Sequence, residues 1–282
     1  MISILVTGSD GQLGSCIKEI APDFPDLKFV FTDRDQLDIT DQEAVSDFMD
    51  KHRFQYCINA AAYTNVEQSE TEAEKAFLVN AKAAGIVAAS CANNRCALIH
   101  ISTDYVFDGQ KKTPYIESDT TAPLSVYGTS KLEGEIQVIE NCSQHFIFRT
   151  SWLYSLYGHN FLKSIRNWLD QQKSLSITTE QTGTPTNGHE LAVKILDLIK
   201  SGSEDYGLYH LSNEGEGTWF DFARRIEIKT MGASSNLVSQ TDHYPTKATR
   251  PNYSVLNNAK ANQVLGIEML DWRASLDALL DR

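Results

Sequence analysis

The sequence predicts an α/β fold in which a Rossmann-type doubly wound parallel sheet carries a smaller C-terminal cap. Short apolar runs alternate with helical patterns along the first half, which is typical of parallel strands joined by crossover helices. A loop with spaced glycines follows the first apolar run directly. The 282 residues, 41% of them hydrophobic, are enough to bury one large core and a smaller satellite core.

The first half supplies five predicted strands and four predicted helices. The strands are expected at residues 2–6, 28–31, 56–60, 97–101 and 145–149. The helices are expected at residues 13–20, 42–51, 73–93 and 130–140. The later pattern is less regular, with helices at 161–172 and 190–199, a strand at 208–211, and helices near Phe220 and Trp272.

This order of elements predicts two domains. Residues 1–150 form the Rossmann domain and residues 151–282 mainly form the cap, while the chain returns to the first domain within residues 175–212. We expect the cap to cover the carboxyl edge of the sheet, because open α/β folds bind their ligands there.

Charge and composition argue against several classes of function. A net charge of -12 is unfavourable for a surface that binds nucleic acid. The amino terminus runs straight into the first strand, with neither the basic region nor the apolar segment of a signal peptide or membrane span, so we expect a cytoplasmic protein. The five cysteines have neither a C-x-x-C pair nor metal-ligand spacing, so we expect free thiols and no metal site.

The first motif lies between the first strand and the first helix, where residues 7–14 read T-G-S-D-G-Q-L-G. Gly8 permits a tight turn, Gly11 lets the backbone approach a pyrophosphate, and Gly14 allows the helix to pack closely on the strand. Phosphate oxygens are then expected at the amino terminus of the helix. A plain tight turn is the alternative, but the position of the motif favours nucleotide binding.

A second motif follows the second strand, at Asp33 and Arg34, where a Rossmann fold reads the adenosine ribose. The aspartate accepts hydrogen bonds from the ribose 2′-hydroxyl of NADH, whereas the arginine attracts the 2′-phosphate of NADPH. The two residues therefore favour different cofactors, and a solvated loop without a ligand role is the third interpretation.

The proton-transfer hypothesis rests on Tyr127 and Lys131, which form a Y-x-x-x-K pattern at the start of a predicted helix. Residues four apart share one helix face, so we expect the Lys131 ammonium to lie near the Tyr127 phenol and to lower its pKa from about 10 toward neutrality. Such a phenol can donate a proton to a carbonyl oxygen while hydride reaches the carbon.

A hydroxyl from the end of the fourth strand is expected to complete this group, since it can polarise the carbonyl that is reduced. Ser102 and Thr103 are the candidates, and strand alternation allows only one of them to point at the site. The alternation does not decide between the two.

These motifs resemble those of the dTDP-4-dehydrorhamnose reductases, a family of extended short-chain dehydrogenases. The matching stretches extend over nearly the whole chain and include residues 11–14, 59–64, 102–109, 127–134, 149–152, 184–186 and 244–251. The resemblance implies reduction of dTDP-4-dehydro-6-deoxy-L-mannose, also called dTDP-6-deoxy-L-lyxo-4-hexulose, to dTDP-L-rhamnose, with NADPH or NADH as cofactor.

The resemblance also implies individual roles. Thr103 takes the substrate-facing hydroxyl role, Tyr127 donates the proton, and Lys131 holds the nicotinamide ribose. Asp104 and Trp152 are the implied contacts to the sugar. The residues implied along the cofactor groove are Gly11, Gln12, Leu13, Asp33, Asp38, Ile39, Ala62, Tyr63 and Thr64.

The chemistry of three positions agrees with these roles, with an ordinary alternative for each. Residues 60–62 are all alanine and leave room for a cofactor at the sheet edge, or they simply pack tightly. Trp152 offers a flat apolar face to a sugar or base, although tryptophans are more often core residues. Arg250 has the fork geometry to clamp a diphosphate, unless it is a solvated surface residue.

One departure favours reduction over elimination. The related sugar-nucleotide dehydratases carry Asp-Glu after the threonine, whereas this chain has Tyr105 after Asp104 and so lacks the expected glutamate base. Two alternatives stay open: a reductase or epimerase for another nucleotide sugar, and a non-catalytic regulator similar to the regulatory subunit of methionine adenosyltransferase. The preference between NADPH and NADH and a possible homodimer are not fixed by the sequence.

Overall fold

The computed structural model describes residues 1–282 and contains twelve strands. They are β1 (Ile2–Thr7), β2 (Leu27–Thr32), β3 (Tyr56–Asn59), β4 (Ala97–Thr103), β5 (His145–Thr150), β6 (Leu153–Tyr154), β7 (Leu175–Thr178), β8 (Thr182–Gly183), β9 (Thr186–Asn187), β10 (Gly207–His210), β11 (Gly217–Thr218) and β12 (Val238–Thr241).

The chain also contains eleven α-helices. They are α1 (Gln12–Ile20), α2 (Gln42–His52), α3 (Val66–Ser69), α4 (Ala73–Phe77), α5 (Ala83–Asn93), α6 (Val126–Asn141), α7 (Phe161–Asp170), α8 (Gly188–Ser201), α9 (Trp219–Met231), α10 (Ala259–Leu265) and α11 (Trp272–Leu280). A π-helical turn, Leu78–Lys82, joins α4 to α5, and short 3₁₀ turns span Ala21–Asp23 and Asp104–Val106.

Six strands form one parallel sheet in the order β2-β1-β3-β4-β5-β10. The chain moves outward from β1 to β2 and then crosses to β3 on the other side of β1, so the strand order reverses between β1 and β3. This reversal creates a crevice at the carboxyl ends of the strands, where such folds bind ligands. The predicted doubly wound parallel sheet with a smaller C-terminal region is confirmed.

Both faces of the sheet are covered, as the alternating direction of side chains along each strand requires. In β1, Ile4 and Val6 face a core that contains α1 and α8, while Leu5 faces a second core that contains α2, α5 and α6. A third core lies in the C-terminal region, where Phe222 and Trp272 pack among α7, α9 and α11.

The C-terminal half contributes to both regions. Strand β10 pairs with β5 at the edge of the main sheet, and α8 packs beside α1 in the core beneath it. The short pairs β6-β9, β8-β11 and β7-β12 lie outside the main sheet.

The predicted helix over residues 73–93 has the expected ends, but its middle contains the π-helical turn. This helix is the one segment that is long and apolar enough to cross a membrane, but 61% of its most apolar stretch is buried inside the fold. Ala83, Ala84 and Val87 pack in the core with α2 and α6, so the apolar composition of the helix serves tertiary packing.

Helix α6 begins earlier than the predicted start at residue 130. Ser125 caps it by accepting a hydrogen bond from the Gly128 N–H at 3.1 Å, and Val126 is its first residue. Tyr127 therefore lies in the first turn and Lys131 one turn later. Residue 128 must be glycine, because a Cβ there would collide with the carbonyl oxygen of Tyr105.

Candidate active site

A cavity of about 570 Å³ lies at the carboxyl edge of the sheet, between the sheet and the cap. Most of the predicted site residues line it. They are Gly11, Gln12, Leu13, Ala62, Thr64, Thr103, Asp104, Tyr127, Lys131, Trp152 and Arg250. The structure therefore brings the glycine loop, the Tyr-Lys pair and the cap residues to one place.

The glycine loop packs as closely as a phosphate-binding turn requires. Gly8 has a left-handed backbone (φ 63°), and a Cβ there would lie 2.6 Å from the backbone of Ala61. A Cβ on Gly14 would lie 2.5 Å from the Cα of Ser9. Gly11 caps α1 without a side-chain hydrogen bond, so the first N–H groups of the helix are free to bind an anion.

The residues predicted to read the adenosine lie beside this loop but do not line the cavity. Asp33 accepts a hydrogen bond from the Gln36 N–H at 2.9 Å at the end of β2. The Arg34 side chain is 80% exposed and lies 3.5 Å from Asp38, so it is loosely held. The Ile39 side chain is buried in the core with α2, which leaves only its backbone available to a ligand.

Some of the residues after β3 line the cavity, and others make contacts only within the protein. Ala62 and Thr64 line the cavity, whereas the Tyr63 phenol points away and donates to Glu72 at 3.1 Å. The Tyr63 backbone is fixed on both sides by Asn80, which accepts from its N–H at 2.8 Å and donates to its carbonyl at 3.0 Å.

Asn80 was not found from the sequence. It lies in the π-helical turn, is 1% exposed, and also donates to the Ser130 hydroxyl at 2.9 Å. Asn80 thus joins the loop after β3 to the helix that carries Tyr127 and Lys131. The sequence gives no sign of Asn80, because the apolar spacing of residues 73–93 is that of a continuous helix and does not reveal the π-helical turn.

Tyr127 and Lys131 both face the cavity, but their side chains are not hydrogen-bonded to each other. The Lys131 ammonium, on a residue 2% exposed, donates to the Ile101 carbonyl at 2.6 Å. The Tyr127 ring lies edge-on to Tyr105, with the ring centroids 5.8 Å apart.

The expected pKa of the phenol was wrong for this structure. Burial raises the pKa of Tyr127 to about 12, while a hydrogen bond with Thr103 opposes the rise and the Asp104 carboxyl adds to it. Burial also lowers the pKa of Lys131 to about 8, although the negative charge of Glu135 acts to raise it. Desolvation outweighs the attraction that the i, i+4 spacing suggested, because the ammonium is directed to a carbonyl instead of the phenol.

The choice between the two hydroxyls is decided by the strand. The Ser102 hydroxyl points back to α6 and donates to Glu135 at 2.5 Å. The Thr103 hydroxyl accepts from the Tyr105 N–H at 3.2 Å and donates to the Asp104 carboxyl at 3.1 Å, beside Tyr127. Thr103 is therefore the hydroxyl near the phenol.

Asp104 is a carboxyl group in an unfavourable environment. It is 2% exposed, and one of its oxygens has no hydrogen-bond partner. Burial raises the pKa of Asp104 to about 7, although hydrogen bonds from Ser254 and Thr103 oppose the rise. The side chain is therefore partly protonated near neutral pH and can either donate or accept a hydrogen bond.

Two tryptophans form part of the cap side of the cavity. The indole of Trp152 stacks on that of Trp219 with the centroids 3.7 Å apart and the planes 4° apart. Trp152 has a positive φ of 42°, and Gly183 makes room for its ring, since a Cβ there would lie 2.5 Å from the indole. One face of Trp152 is thus covered by protein, and Trp219 is a cavity residue that the sequence did not reveal.

Arg250 joins the cap to the Rossmann side of the cavity. Its Nη2 donates to Glu67 in α3 at 2.7 Å, and the other Glu67 oxygen accepts from the Lys247 N–H at 2.7 Å. The Arg250 side chain is 22% exposed, while its buried Nε has no partner. The alternative of a solvated surface arginine is therefore wrong.

No group of three or more His, Cys, Asp or Glu side chains in the structure is arranged to hold a metal ion. The donor groups around the cavity are instead hydroxyls, backbone N–H groups, an ammonium and a guanidinium. This set fits phosphates and sugar hydroxyls.

Comparison with known proteins gives a consistent result. A family model described as the RmlD substrate binding domain matches residues 2–282. The chain is 36% identical over 287 residues to a dTDP-4-dehydrorhamnose reductase of Sinorhizobium fredii, with 98% of this chain and 96% of that protein covered. It is 35% identical over 257 residues to a dTDP-4-keto-6-deoxy-D-glucose reductase of Streptomyces niveus, with 90% and 88% covered.

The solved structures agree. A crystal structure of the dTDP-4-dehydrorhamnose reductase of Bacillus anthracis in complex with NADP has a TM-score of 0.93 against this chain and is 34% identical to it. The match covers 100% of this chain and 99% of that chain. The similarity therefore includes both the sheet and the cap.

The raised pKa of Asp104 predicts a pH-dependent effect on stability. Between about pH 4 and pH 7 the folded protein binds more protons than the unfolded chain, so the free energy of unfolding falls as the pH rises through that window. Asp104→Asn removes this dependence. We therefore compare the free energy of unfolding of Asp104→Asn with that of the unsubstituted protein. We expect the difference, variant minus unsubstituted, to be roughly 1–3 kcal/mol more positive at about pH 8 than at about pH 5.

Urea unfolding at the two pH values measures this change. Asp38→Asn is the matched control, because hydrogen bonds from Thr40 hold the pKa of Asp38 below its usual range and its contribution is constant above about pH 5. If both variants show the same change between the two pH values, the assigned protonation of Asp104 is incorrect.

Proposed function

The chain belongs to the family of the RmlD substrate binding domain and the dTDP-4-dehydrorhamnose reductases, and we propose on that basis that it reduces dTDP-4-dehydro-6-deoxy-L-mannose to dTDP-L-rhamnose. The cofactor is NADPH or NADH. The observation that carries the proposal is the meeting of Thr103, Tyr127 and Lys131 with the glycine loop in one cavity. When bound, the cofactor supplies the hydride that reaches C4 of the sugar.

We assign the proton to Tyr127. Its raised pKa keeps the phenol protonated at neutral pH, so the side chain is in the donor form when the ketone oxygen gains negative charge. Thr103 then stabilises the developing charge when its hydroxyl turns from Asp104 to the ketone oxygen, and the positive charge of Lys131, one helical turn from Tyr127, favours the phenolate that remains. Burial makes both interactions stronger than they are in water.

The cofactor groove is assigned to Gly8, Gly11, Gln12, Leu13 and Gly14, with the loop after β3. The uncapped N–H groups of α1 fit a pyrophosphate, and the absent side chains of Gly8 and Gly14 permit the close packing described above. Asp33, Arg34, Asp38 and the Ile39 backbone lie at the end of β2 and are assigned to the adenosine. The loosely held Arg34 is free to pair with a 2′-phosphate, which supports use of NADPH as well as NADH.

The substrate is assigned to the cap side of the same cavity. Asp104 supplies a hydrogen-bonding carboxyl to the sugar, and Trp152 supplies an apolar surface beside it. Arg250 lines the cavity with a side chain that is 22% exposed and supplies positive charge to the diphosphate. Residues 1–150 thus supply the assigned cofactor groove together with Thr103 and Asp104, while Trp152 and Arg250 come from residues 151–282.

Two proposals concern the environment of the enzyme. All five cysteines are buried and free, which fits the reducing conditions of the cytoplasm. Ile136 and Ile139 are 40% and 50% exposed on the outer side of α6, and we propose that a second copy of the chain covers them in a homodimer.

Reduction of another nucleotide sugar is the second candidate. The Streptomyces niveus relative is a dTDP-4-keto-6-deoxy-D-glucose reductase, and the same three side chains reduce any suitably placed C4 ketone. A non-catalytic regulator is less favoured, because Thr103, Tyr127 and Lys131 are assembled in an open cavity.

An activity assay separates these candidates. Purified protein with NADPH and the thymidine-linked 4-ketosugar is expected to consume the near-ultraviolet absorbance of the cofactor, with dTDP-L-rhamnose identified by NMR. Faster turnover of a different 4-ketosugar nucleotide would favour the second candidate, and a changed sugar without net cofactor oxidation would indicate an epimerase. No reaction with any of these substrates would contradict the reductase proposal.

Tyr127→Phe tests the proton donor. We expect kcat to fall by about 10²–10⁴-fold, because the phenyl ring keeps the packing but has no proton to give, while the dissociation constant of NADPH stays nearly unchanged. Tyr56→Phe is the matched control, since Tyr56 begins β3 at the opposite edge of the sheet. A Tyr127→Phe enzyme with most of its activity would show that another group supplies the proton.

A further inference from the structure

A buried ion pair lies next to Lys131, and neither of its residues has a part in the proposed reaction. Arg149 in β5 donates from Nε and Nη2 to the two oxygens of Glu135 in α6, at 2.9 and 2.7 Å. The Glu135 and Arg149 side chains are only 2% and 4% exposed. Two parallel hydrogen bonds of this kind fix the carboxylate in one orientation.

Stability alone does not account for this pair. Two charges must be removed from water to form it, and apolar side chains of similar volume often give an equally stable protein. The guanidinium is only partly satisfied, because its buried Nη1 has no hydrogen-bond partner and its carbon lies 5.1 Å from the centroid of the Phe107 ring. An ion pair placed at such a cost next to a proposed active site points to a role there.

The pair touches the same strand end that Lys131 touches. Ser102 donates to Glu135 at 2.5 Å, and in the β4-β5 register Ser102 is directly opposite Arg149. Lys131 precedes Glu135 by one turn of α6 and donates to Ile101. Ser102 has Ile101 and Thr103 as its neighbours on β4. The Ile101 carbonyl accepts from the Lys131 ammonium, and Thr103 faces the cavity, so the ion pair is bonded between the two.

Glu135 is the one charged group that acts on the Lys131 ammonium in its favour. The other charged or titratable groups on the neighbouring strands are His100 in β4, Asp104 directly after β4, His145 and Arg149 in β5, and His210 in β10. Burial lowers the pKa of His100 and of His210, so these two are neutral at pH 7. Tyr127, on the same helix, is also neutral. Burial lowers the pKa of Lys131, and only the Glu135 carboxylate opposes that effect.

We propose that Glu135, oriented by Arg149, is a positioning residue that keeps the Lys131 ammonium charged and holds the end of β4 so that Thr103 faces the ketone. The inference rests on the role proposed for Lys131. Without the carboxylate, Lys131 loses its proton at a lower pH, and the enzyme loses the cation that favours the phenolate of Tyr127.

The pH profile of kcat/KM tests this role. Lys131 is charged below its pKa of about 8, so activity is present at lower pH and declines as the pH rises through that value. All profiles are compared in an Asp104→Asn background, because burial raises the pKa of the Asp104 carboxyl in the same cavity to about 7. Glu135→Gln is expected to move this alkaline decline to lower pH by about one unit, which is about a tenfold loss of kcat/KM above the decline. The acidic side of the profile should move little.

Glu43→Gln is the matched control, because it makes the same chemical change at an exposed position of α2 that does not line the cavity. Its profile should coincide with that of the Asp104→Asn enzyme. If Glu135→Gln fails to fold because Arg149 is left unpaired, Glu135→Met with Arg149→Met removes both charges and should fold. The alkaline decline should still move to lower pH, but by less than in Glu135→Gln, because the repulsion from the Arg149 guanidinium is removed together with the attraction of the carboxylate.

The outcomes separate two failures. A folded Glu135→Gln enzyme with an unmoved alkaline decline would overturn the positioning role. Lys131→Arg, whose charge persists across the range, should abolish the decline near pH 8 in the remaining activity. If the decline is unaffected by Lys131→Arg, the role proposed for Lys131 fails first, and the inference about Glu135 falls with it.

Discussion

The position of α6 along the end of β4 is the constraint on which the rest of the structure depends. Strand alternation sends the Ser102 hydroxyl into the helix side and the Thr103 hydroxyl into the cavity. A slip of one residue would exchange the two hydroxyls and take the carbonyl of Ile101 away from the Lys131 ammonium. Gly128 permits the close contact of α6 with the turn at Tyr105, so strand and helix are held together as one unit.

Short-range patterns were sufficient to predict the sheet and its glycine loop. The strands β1 to β5 were located because apolar runs of four or five residues alternate with helical spacing, and both are local properties. The start of α6 was placed too late, because its cap is Ser125 and the apolar spacing becomes regular only beyond the Tyr-Gly sequence. The two-residue strands of the cap have no periodicity from which to predict them.

Contacts between distant residues explain what the sequence did not reveal about the site. The Arg250 bond to Glu67 and the stack of Trp152 on Trp219 both join segments that no local pattern relates. The pKa of Tyr127 was predicted in the wrong direction for a similar reason. Spacing along a helix shows which charges can be close, but desolvation depends on everything that surrounds the side chain.

The stacked indoles also give the molecule a built-in optical reporter. The chain has four tryptophans, and two of them form this stack at the wall of the cavity, one after β5 and the other at the start of α9. Both indoles lie on the cap side of the cavity, so a ligand that enters the cavity changes the surroundings of the stack and with them its coupled electronic transitions. Entry of a ligand would therefore be visible in the intrinsic fluorescence and near-ultraviolet circular dichroism of the unlabelled protein.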